Sequence, residues 1–305
     1  MKVLVYGGTG SQGSPVVTTL IERGHTPVVF TRNVEKARET FGEAAEYVAG
    51  DMASTDDTRA AAEGVDALAL MIPFFTRNPL EDAPLFARNA INGAKDAGVS
   101  LIVYNTSGPL PAGSSNMPGA APRIYTRQLL AESGIPHIIL APTVYMENLL
   151  GPWTVNEIRE QNVLPYPNPP QVHAGWVATA DVARLQVAAL EHPELADATY
   201  IVSGVENPTG PELAAQVGAG IGREITYREM PLDEFAAKID AVFGPGAGAG
   251  AKAGYEYARQ HADEVPPMWV DMEPLLKTLD VEMTSINTWA ARMKPVMAPV
   301  KSPSM

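Results

Sequence analysis

Three glycines near the start of the chain have the spacing of a phosphate-binding loop. Gly7, Gly10 and Gly13 stand three residues apart, directly after the apolar run KVLVY at residues 2–6. Between a strand and a helix, such a loop leaves backbone N–H groups for a pyrophosphate, and the helix dipole favours the anion. The spacing is also common in turns that serve packing alone. The elements around the loop therefore have to decide between the two interpretations.

The end of the second apolar run indicates which dinucleotide such a loop would bind. Proteins that bind NAD usually place an acidic residue about 20 residues after the glycines, where it binds the ribose 2′-hydroxyl. The run PVVFTR at residues 27–32 ends instead on Thr31 and Arg32, and Lys36 follows one helical turn later. Arginine binds phosphate through two parallel hydrogen bonds. We therefore expect NADP, with NADPH preferred over NADH; the alternative is a solvated arginine at a helix start.

Short apolar segments alternate with helical ones through the first half of the chain. Capping residues such as Asn33 and Ser54 and helix-spaced apolar positions predict helices between the segments. Repeated alternation of this kind requires parallel strands joined by right-handed crossovers. The sequence predicts an α/β fold with a doubly wound parallel sheet, in which the glycine loop opens a helix. The expected strands are residues 2–7, 27–32, 46–51, 66–72, 101–107 and 137–143.

The second half of the chain predicts a smaller, mixed α/β lobe. Proline-rich segments interrupt its helices, and the strand candidate at residues 199–204 could return to the main sheet. We assign residues 1–145 with 176–204 to a nucleotide-binding domain. Residues 146–175 with 205–305 form the smaller, substrate-binding lobe.

One low-complexity segment, GPGAGAGAKAG, occupies residues 244–254 and contains five glycines. Glycine weakens a helix interior because it loses much backbone entropy on folding. We expect a mobile loop, which either covers the site as a lid or connects two surface elements without further function.

Composition excludes several classes of protein. The 305 residues carry a net charge of −13, which argues against nucleic-acid and anionic-membrane partners. The chain has no cysteine, so disulfides, thiolate metal sites and cysteine nucleophiles are excluded. No apolar stretch approaches the roughly 18 residues of a membrane-spanning helix. We expect a cytoplasmic protein with no metal site.

Several stretches resemble the NmrA-like family of atypical short-chain dehydrogenases. VLVYGGTGSQGSPVVTTLIERGH at residues 3–25 is similar to the cofactor-binding opening of that family, and TRNVEKA at 31–37 to its NADP-reading strand. SGIPHIILAPTVYMENLL at 133–150 resembles the segment that lies under the nicotinamide. The resemblance implies an NADP-binding Rossmann domain, oxidoreductase activity, and a small-molecule substrate between the two lobes.

The resemblance also implies individual contacts. The residues implied for the substrate wall are Phe74, Phe75, Met146, Asn148 and Trp153. Their alternative role is packing in the core between the two lobes. The implied cofactor contacts are Gly7, Thr9, Gly10, Ser11, Gln12, Gly13, Arg32, Lys36, Asp51, Met52, Ile72, Pro73, Pro142, Thr143, Val144 and Tyr145.

The catalytic pair of ordinary short-chain dehydrogenases is missing. Those enzymes carry Tyr-x-x-x-Lys on the helix after the fifth strand, and catalytic NmrA-like members often keep a lysine ten residues before the turn serine. Counting back from Ser133 gives Arg123, and four residues earlier Gly119. Arginine can bind an anion but is a poor proton donor. The remaining candidates for a catalytic group are Tyr125 and Tyr145, besides Arg123 itself. Tyr104 and His173 are further candidates for a proton donor, and for each of these tyrosines and for His173 the alternative is a packing or structural role.

Two functions of different classes stay open. The first is an NADPH-dependent reductase of a quinone, an imine or a similar conjugated compound, which needs little acid catalysis from the protein. The second is a non-catalytic NADP(H)-binding regulator that senses redox state and acts through a protein partner. A homodimer is compatible with either.

Overall fold

A computed structural model describes residues 1–73, 78–113 and 115–299. Seven parallel strands form the central sheet in the order β10-β6-β5-β4-β1-β2-β3. Strand order reverses between β1 and β4, and at such a point the carboxyl ends of the strands border a crevice. The strands are β1 (Lys2–Tyr6), β2 (Thr26–Thr31), β3 (Glu46–Ala49), β4 (Ala67–Met71), β5 (Leu101–Asn105), β6 (His137–Pro142) and β10 (Ala198–Val202).

Helices cover both faces of this sheet. Side chains alternate along each strand, so Val3 and Val5 of β1 face one layer of helices while Leu4 and Tyr6 face the other. The first layer contains α1 (Gly13–Glu22), α2 (Val34–Phe41), α7 (Thr179–Leu190) and α11 (Glu273–Leu279). The second contains α3 (Thr55–Ala62), α4 (Pro79–Asp96) and α5 (Ala121–Ser133). The predicted doubly wound sheet is confirmed, including the return of residues 199–204 as β10.

A second group of elements packs around its own core beside the carboxyl ends of the strands. Two small parallel pairs, β7 with β9 and β8 with β11, belong to it. Leu149, Ile158 and Trp289 are buried in that core. Its elements are β7 (Val144–Tyr145), α6 (Pro152–Gln161), β8 (Val163–Tyr166), β9 (Trp176–Val177), α8 (Gly210–Ile221), β11 (Thr226–Glu229), α9 (Leu232–Phe243), α10 (Ala247–Gln260) and α12 (Ile286–Met297). Short 3₁₀ turns occupy Gly42–Ala44, Met146–Leu150 and Pro193–Leu195.

The glycine-rich segment is helical, and the predicted mobile loop at residues 244–254 is wrong over most of its length. Helix α10 begins at Ala247, and Gly248 lies directly against α9, where a Cβ atom would come within 2.1 Å of the Ala236 carbonyl oxygen. The Gly248 N–H also donates to Asp240 Oδ1 at 2.8 Å. Close contact with α9 offsets the poor helix propensity of the glycines.

No helix in the three described ranges is long and apolar enough to cross a membrane.

Substitution of Gly248 tests this close contact. We expect Gly248→Ala to lower the free energy of unfolding by about 1–3 kcal/mol, because the new methyl group has to push α9 and α10 apart. Gly254→Ala on the same helix is the control: a Cβ atom there meets nothing within 4 Å, so alanine should stabilise the helix by about 0.5–1 kcal/mol. Urea unfolding measures both. Equal stabilisation by the two alanines would contradict the contact.

Candidate functional site

A cavity of about 1860 Å³ opens at the carboxyl ends of the strands and continues between the sheet and the second group of elements. One end is bordered by the glycine loop and by the ends of β2 and β3. The other end is bordered by α6, α9 and α10. A single continuous space thus connects a polar, glycine-rich region with an aromatic one.

The glycine loop has the backbone geometry of a phosphate cradle. Gly10 N–H donates to the Gly7 carbonyl at 2.9 Å, which closes the turn. A Cβ atom on Gly13 would lie 2.1 Å from the same carbonyl oxygen, so the start of α1 can pack this tightly only with glycine. Gly7, Thr9, Ser11 and Gln12 line the cavity. The first turn of α1 therefore points its N–H groups and positive dipole end at the cavity.

Of the other cofactor contacts predicted near the glycine loop and the strand ends, some line the cavity and some do not. Arg32, Asp51, Met52 and Pro73 line the cavity together with Phe30. Arg32 is exposed at the end of β2, where a ligand phosphate could reach its guanidinium. Two other predicted residues lie differently: Lys36 is exposed on α2, and Ile72 is buried in the core of the second layer.

Tyr145 of β7, one of the predicted cofactor contacts, lines the cavity and hydrogen bonds to the glycine loop and to the end of β5. Its hydroxyl donates to Gln12 Oε1 at 3.0 Å and lies 3.3 Å from Asn105 Oδ1. Gln12 Nε2 in turn donates to Ser107 Oγ at 2.7 Å. Burial raises the pKa of Tyr145 above its usual value, so the phenol stays protonated and acts as a hydrogen-bond donor.

The three residues before Tyr145 support the cavity rather than line it. Thr143 donates from Oγ1 to the Gly175 carbonyl at 2.5 Å, and Val144 is buried in the second core. Pro142 ends β6 and is buried. They fix the backbone from which Tyr145 projects.

Arg123 lines the cavity and is held by backbone carbonyls. Its Nε donates to the Thr106 carbonyl at 2.8 Å and its Nη1 to that of Gly119 at 2.9 Å. Burial lowers the pKa of Arg123 from its usual value, while Tyr104 and Tyr145 raise it. A guanidinium in this setting keeps its charge and contributes a positive field at the middle of the cavity.

Two other candidates for proton transfer point elsewhere. Tyr125 accepts a hydrogen bond from Arg88 Nε at 3.3 Å at the surface between α4 and α5. His173 contacts the Asn207 carbonyl through Nδ1 at 2.7 Å in an exposed loop. Neither lines the cavity as far as the structure describes the chain.

The residues predicted for a substrate wall lie in different places. Asn148 and Trp153 line the aromatic end, and Met146 is buried in the second core. Phe74 and Phe75 lie outside the described residues. Sequence reasoning missed the apolar face of α9 at this end of the cavity, although Phe235, Ile239 and Phe243 repeat at the four-residue spacing of a helix face. It also missed Tyr166 and Tyr255.

Glu147 connects three separate elements at the cavity wall. Its Oε2 accepts from the Thr179 N–H at the start of α7 at 2.9 Å, and its Oε1 accepts from Trp289 Nε1 of α12 at 3.0 Å. Burial raises the pKa of Glu147, whereas these two donors lower it. The carboxylate therefore holds the 3₁₀ turn at Met146–Leu150 between the sheet and the second core.

Comparison with known proteins places these features in a family. The model of the NmrA-like family matches residues 1–264. The chain is 30% identical over 237 residues to NAD(P)H azoreductase of Xenophilus azovorans, covering 76% of this chain and 78% of that protein. It is 28% identical over 247 residues to quinone oxidoreductase 2 of Escherichia coli strain K12, covering 79% of this chain and 82% of that protein.

Among solved structures, the triphenylmethane reductase of Citrobacter sp. complexed with NADP(H) has the same fold. The TM-score is 0.78 at 20% sequence identity, and the match covers 96% of this chain and 100% of that chain.

The contact between Trp289 and Glu147 predicts a pH-dependent loss of stability. In Trp289→Phe the buried carboxylate loses one donor, which raises its pKa further above the ordinary 4.5. The resulting penalty, about 1–3 kcal/mol, applies while Glu147 is ionised and disappears as pH falls and the group is protonated. Urea unfolding near pH 8 and near pH 5 measures it.

Trp269→Phe, which alters an exposed indole, is the matched control. Trp269→Phe should lower the free energy of unfolding by the same amount at both pH values. The loss of packing in Trp289→Phe should likewise not depend on pH. A pH-independent effect of Trp289→Phe would contradict the role of Glu147.

Proposed function

Since the chain belongs to the NmrA-like family, we propose that it is an NADPH-dependent reductase of small conjugated organic compounds. The observation that carries the proposal is the continuous cavity, which leads from the glycine loop past Tyr145 to an aromatic compartment. A dinucleotide and a planar substrate need such a space, because hydride transfer requires the two reacting carbons in contact. The names of the azoreductase, quinone oxidoreductase and triphenylmethane reductase support the same class of reaction.

The residues at the polar end fit NADP. N–H groups of the loop at residues 7–13 would hold the pyrophosphate, and the tight packing of Gly13 leaves no side chain in its way. Arg32 would hold the 2′-phosphate in a bidentate manner. The bound cofactor would supply a hydride at the centre of the cavity.

The polar groups beside the proposed reaction centre favour substrates that need no strong acid from the protein. The Tyr145 proton is engaged by Gln12, and Arg123 is engaged by two carbonyls. Conjugated cations, iminium ions and quinones accept a hydride without prior proton transfer from a side chain. The protein then accelerates the reaction mainly through orientation and exclusion of water. As part of this proposal, the enzyme acts in the cytoplasm.

A regulator that only binds NADP(H) is the second candidate. Arg123 favours it, because the side chain stands where catalytic relatives often keep a lysine and its donors face backbone carbonyls. In that case cofactor binding would change contacts with a protein partner, and no hydride acceptor would be consumed.

Turnover separates the two candidates. The purified protein is mixed with NADPH and a panel of a 1,4-naphthoquinone, an azo dye and a triphenylmethane dye cation, and the nicotinamide absorbance is followed. The reductase proposal requires NADPH oxidation with at least one compound. Tight NADPH binding without turnover across the panel favours the regulator.

The role of Arg32 is tested by charge reversal. We expect Arg32→Glu to raise the dissociation constant for NADPH by about 10- to 100-fold, because charge-assisted hydrogen bonds to the 2′-phosphate are lost. Binding of NADH, which lacks that phosphate, should change little. Arg38→Glu on α2 makes the same change in net charge at a residue paired with Glu43 and serves as the control. Equal affinity of the unaltered protein for NADPH and NADH would contradict the assignment.

A further inference from the structure

The aromatic end of the cavity contains one cluster of polar side chains. Tyr166, Tyr255 and Asn148 lie together there, among the rings of Trp153 and Phe235. In a largely apolar site, a few placed polar groups fix the orientation of the ligand. The cluster is therefore a candidate for substrate recognition.

The hydroxyl of Tyr166 is the centre of this cluster. Tyr255 donates to its oxygen at 3.2 Å. The Asn148 side chain lies beside the Tyr166 hydroxyl as well and lowers the pKa of that phenol. A phenol oxygen has two lone pairs and one proton. Tyr255 occupies one lone pair, and this bond does not use the Tyr166 proton.

The rings hold this hydroxyl in place. Tyr166 is 2% exposed and meets Trp176 edge-on at a centroid distance of 4.8 Å. The Tyr227 hydroxyl donates to the Asn168 carbonyl at 2.5 Å and lies 3.3 Å from the backbone carbonyl of Tyr166. Tyr255 meets Phe235 edge-on at 5.4 Å, so α9 and α10 together position the second hydroxyl.

We propose that the Tyr166 hydroxyl, oriented by Tyr255 and Asn148, donates a hydrogen bond to an oxygen or nitrogen acceptor of the bound substrate. The proposal rests on the reductase function above and adds a specificity-determining residue to it. Quinone carbonyls and azo nitrogens offer such an acceptor next to the conjugated system. The central carbon of a triphenylmethane cation, which receives the hydride, does not.

Burial supports the choice of Tyr166 as a donor. It raises the pKa of Tyr166 above the ordinary 10.0, so the phenol keeps its proton at neutral pH. A hydrogen bond from a fixed, buried donor contributes more to the binding free energy than a hydrogen bond in water. A site of this type also rejects compounds that leave the donor unpaired.

The test compares two substrates across three variants. For each protein, kcat/KM with NADPH is measured for a 1,4-naphthoquinone and for a triphenylmethane dye cation. In Tyr166→Phe the ratio of quinone to dye should fall about fivefold, mainly through KM, because a neutral hydrogen bond to the quinone is lost. Tyr255→Phe should lower the ratio less, since Tyr166 keeps its proton but loses one orienting partner.

Tyr227→Phe is the matched control, because it removes a neighbouring hydroxyl that bonds only to the carbonyls of Tyr166 and Asn168 within the described residues. Its ratio of quinone to dye kcat/KM should stay within about twofold of the ratio for the unaltered protein, which is less than the change expected from the loss of one hydrogen bond. An unchanged ratio in Tyr166→Phe, or an equal fall in Tyr227→Phe, would overturn the proposal.

A binding measurement separates this proposal from the reductase function. If the unaltered protein oxidises NADPH with none of the three panel compounds, the reductase proposal fails, and quinone binding to the NADP⁺-loaded protein is then measured by tryptophan fluorescence. A dissociation constant about fivefold higher in Tyr166→Phe supports the hydrogen bond. Absence of quinone binding, or an unchanged constant, overturns it.

Discussion

The contact between Gly13 and the Gly7 carbonyl sets the geometry on which the site depends. A Cβ atom at residue 13 would come within 2.1 Å of that oxygen, so α1 can begin this close to β1 only because the residue is glycine. The approach brings the first turn of the helix to the cavity edge and places Gln12 within reach of Tyr145. The same backbone arrangement therefore directs the N–H groups of this first turn to one end of the cavity, where we propose the pyrophosphate binds, and anchors the opposite wall.

Two side chains then connect the sheet to the second group of elements. Gln12 holds the Tyr145 hydroxyl, and Glu147 binds both the start of α7 and the indole of Trp289. Both connections use buried hydrogen bonds, which are costly to break when a partner is left unpaired. They keep the cavity wall formed by the second group of elements at a fixed distance from the glycine loop. Such rigidity suits a reaction that depends on orientation more than on acid catalysis.

The elements with strong local signals could be predicted from the sequence. Apolar β-branched runs such as residues 2–6 predict the strands of the sheet, and the glycine spacing predicts the loop. Strands and loop are predictable because each depends on a short-range sequence pattern. The helix at Ala247–Gln260 could not be predicted by propensity, since its stability comes from the contact of Gly248 with α9. Tertiary contact outweighed local preference there.

The same limit applies to the site. Gly7, Arg32 and Asn148, which the sequence suggests as ligand contacts, line the cavity. Tyr166 and Tyr255 are 89 residues apart in the chain and meet only through folding. The orientation of Tyr125 towards Arg88 likewise depends on how α4 and α5 pack. Local patterns identify the type of a residue, whereas its partners follow from the packing of elements distant in sequence.

The central claim is that a hydride passes directly from the nicotinamide to a substrate in one cavity. NADPH carrying deuterium at one of the two C4 positions is incubated with the protein and a triphenylmethane dye cation, and the colourless product is analysed by mass spectrometry. Direct transfer places deuterium on the central carbon with one of the two labelled cofactors and hydrogen with the other. A product without label from either cofactor would contradict the account, and where the dye is not reduced the same labelling is read on the panel compound that is.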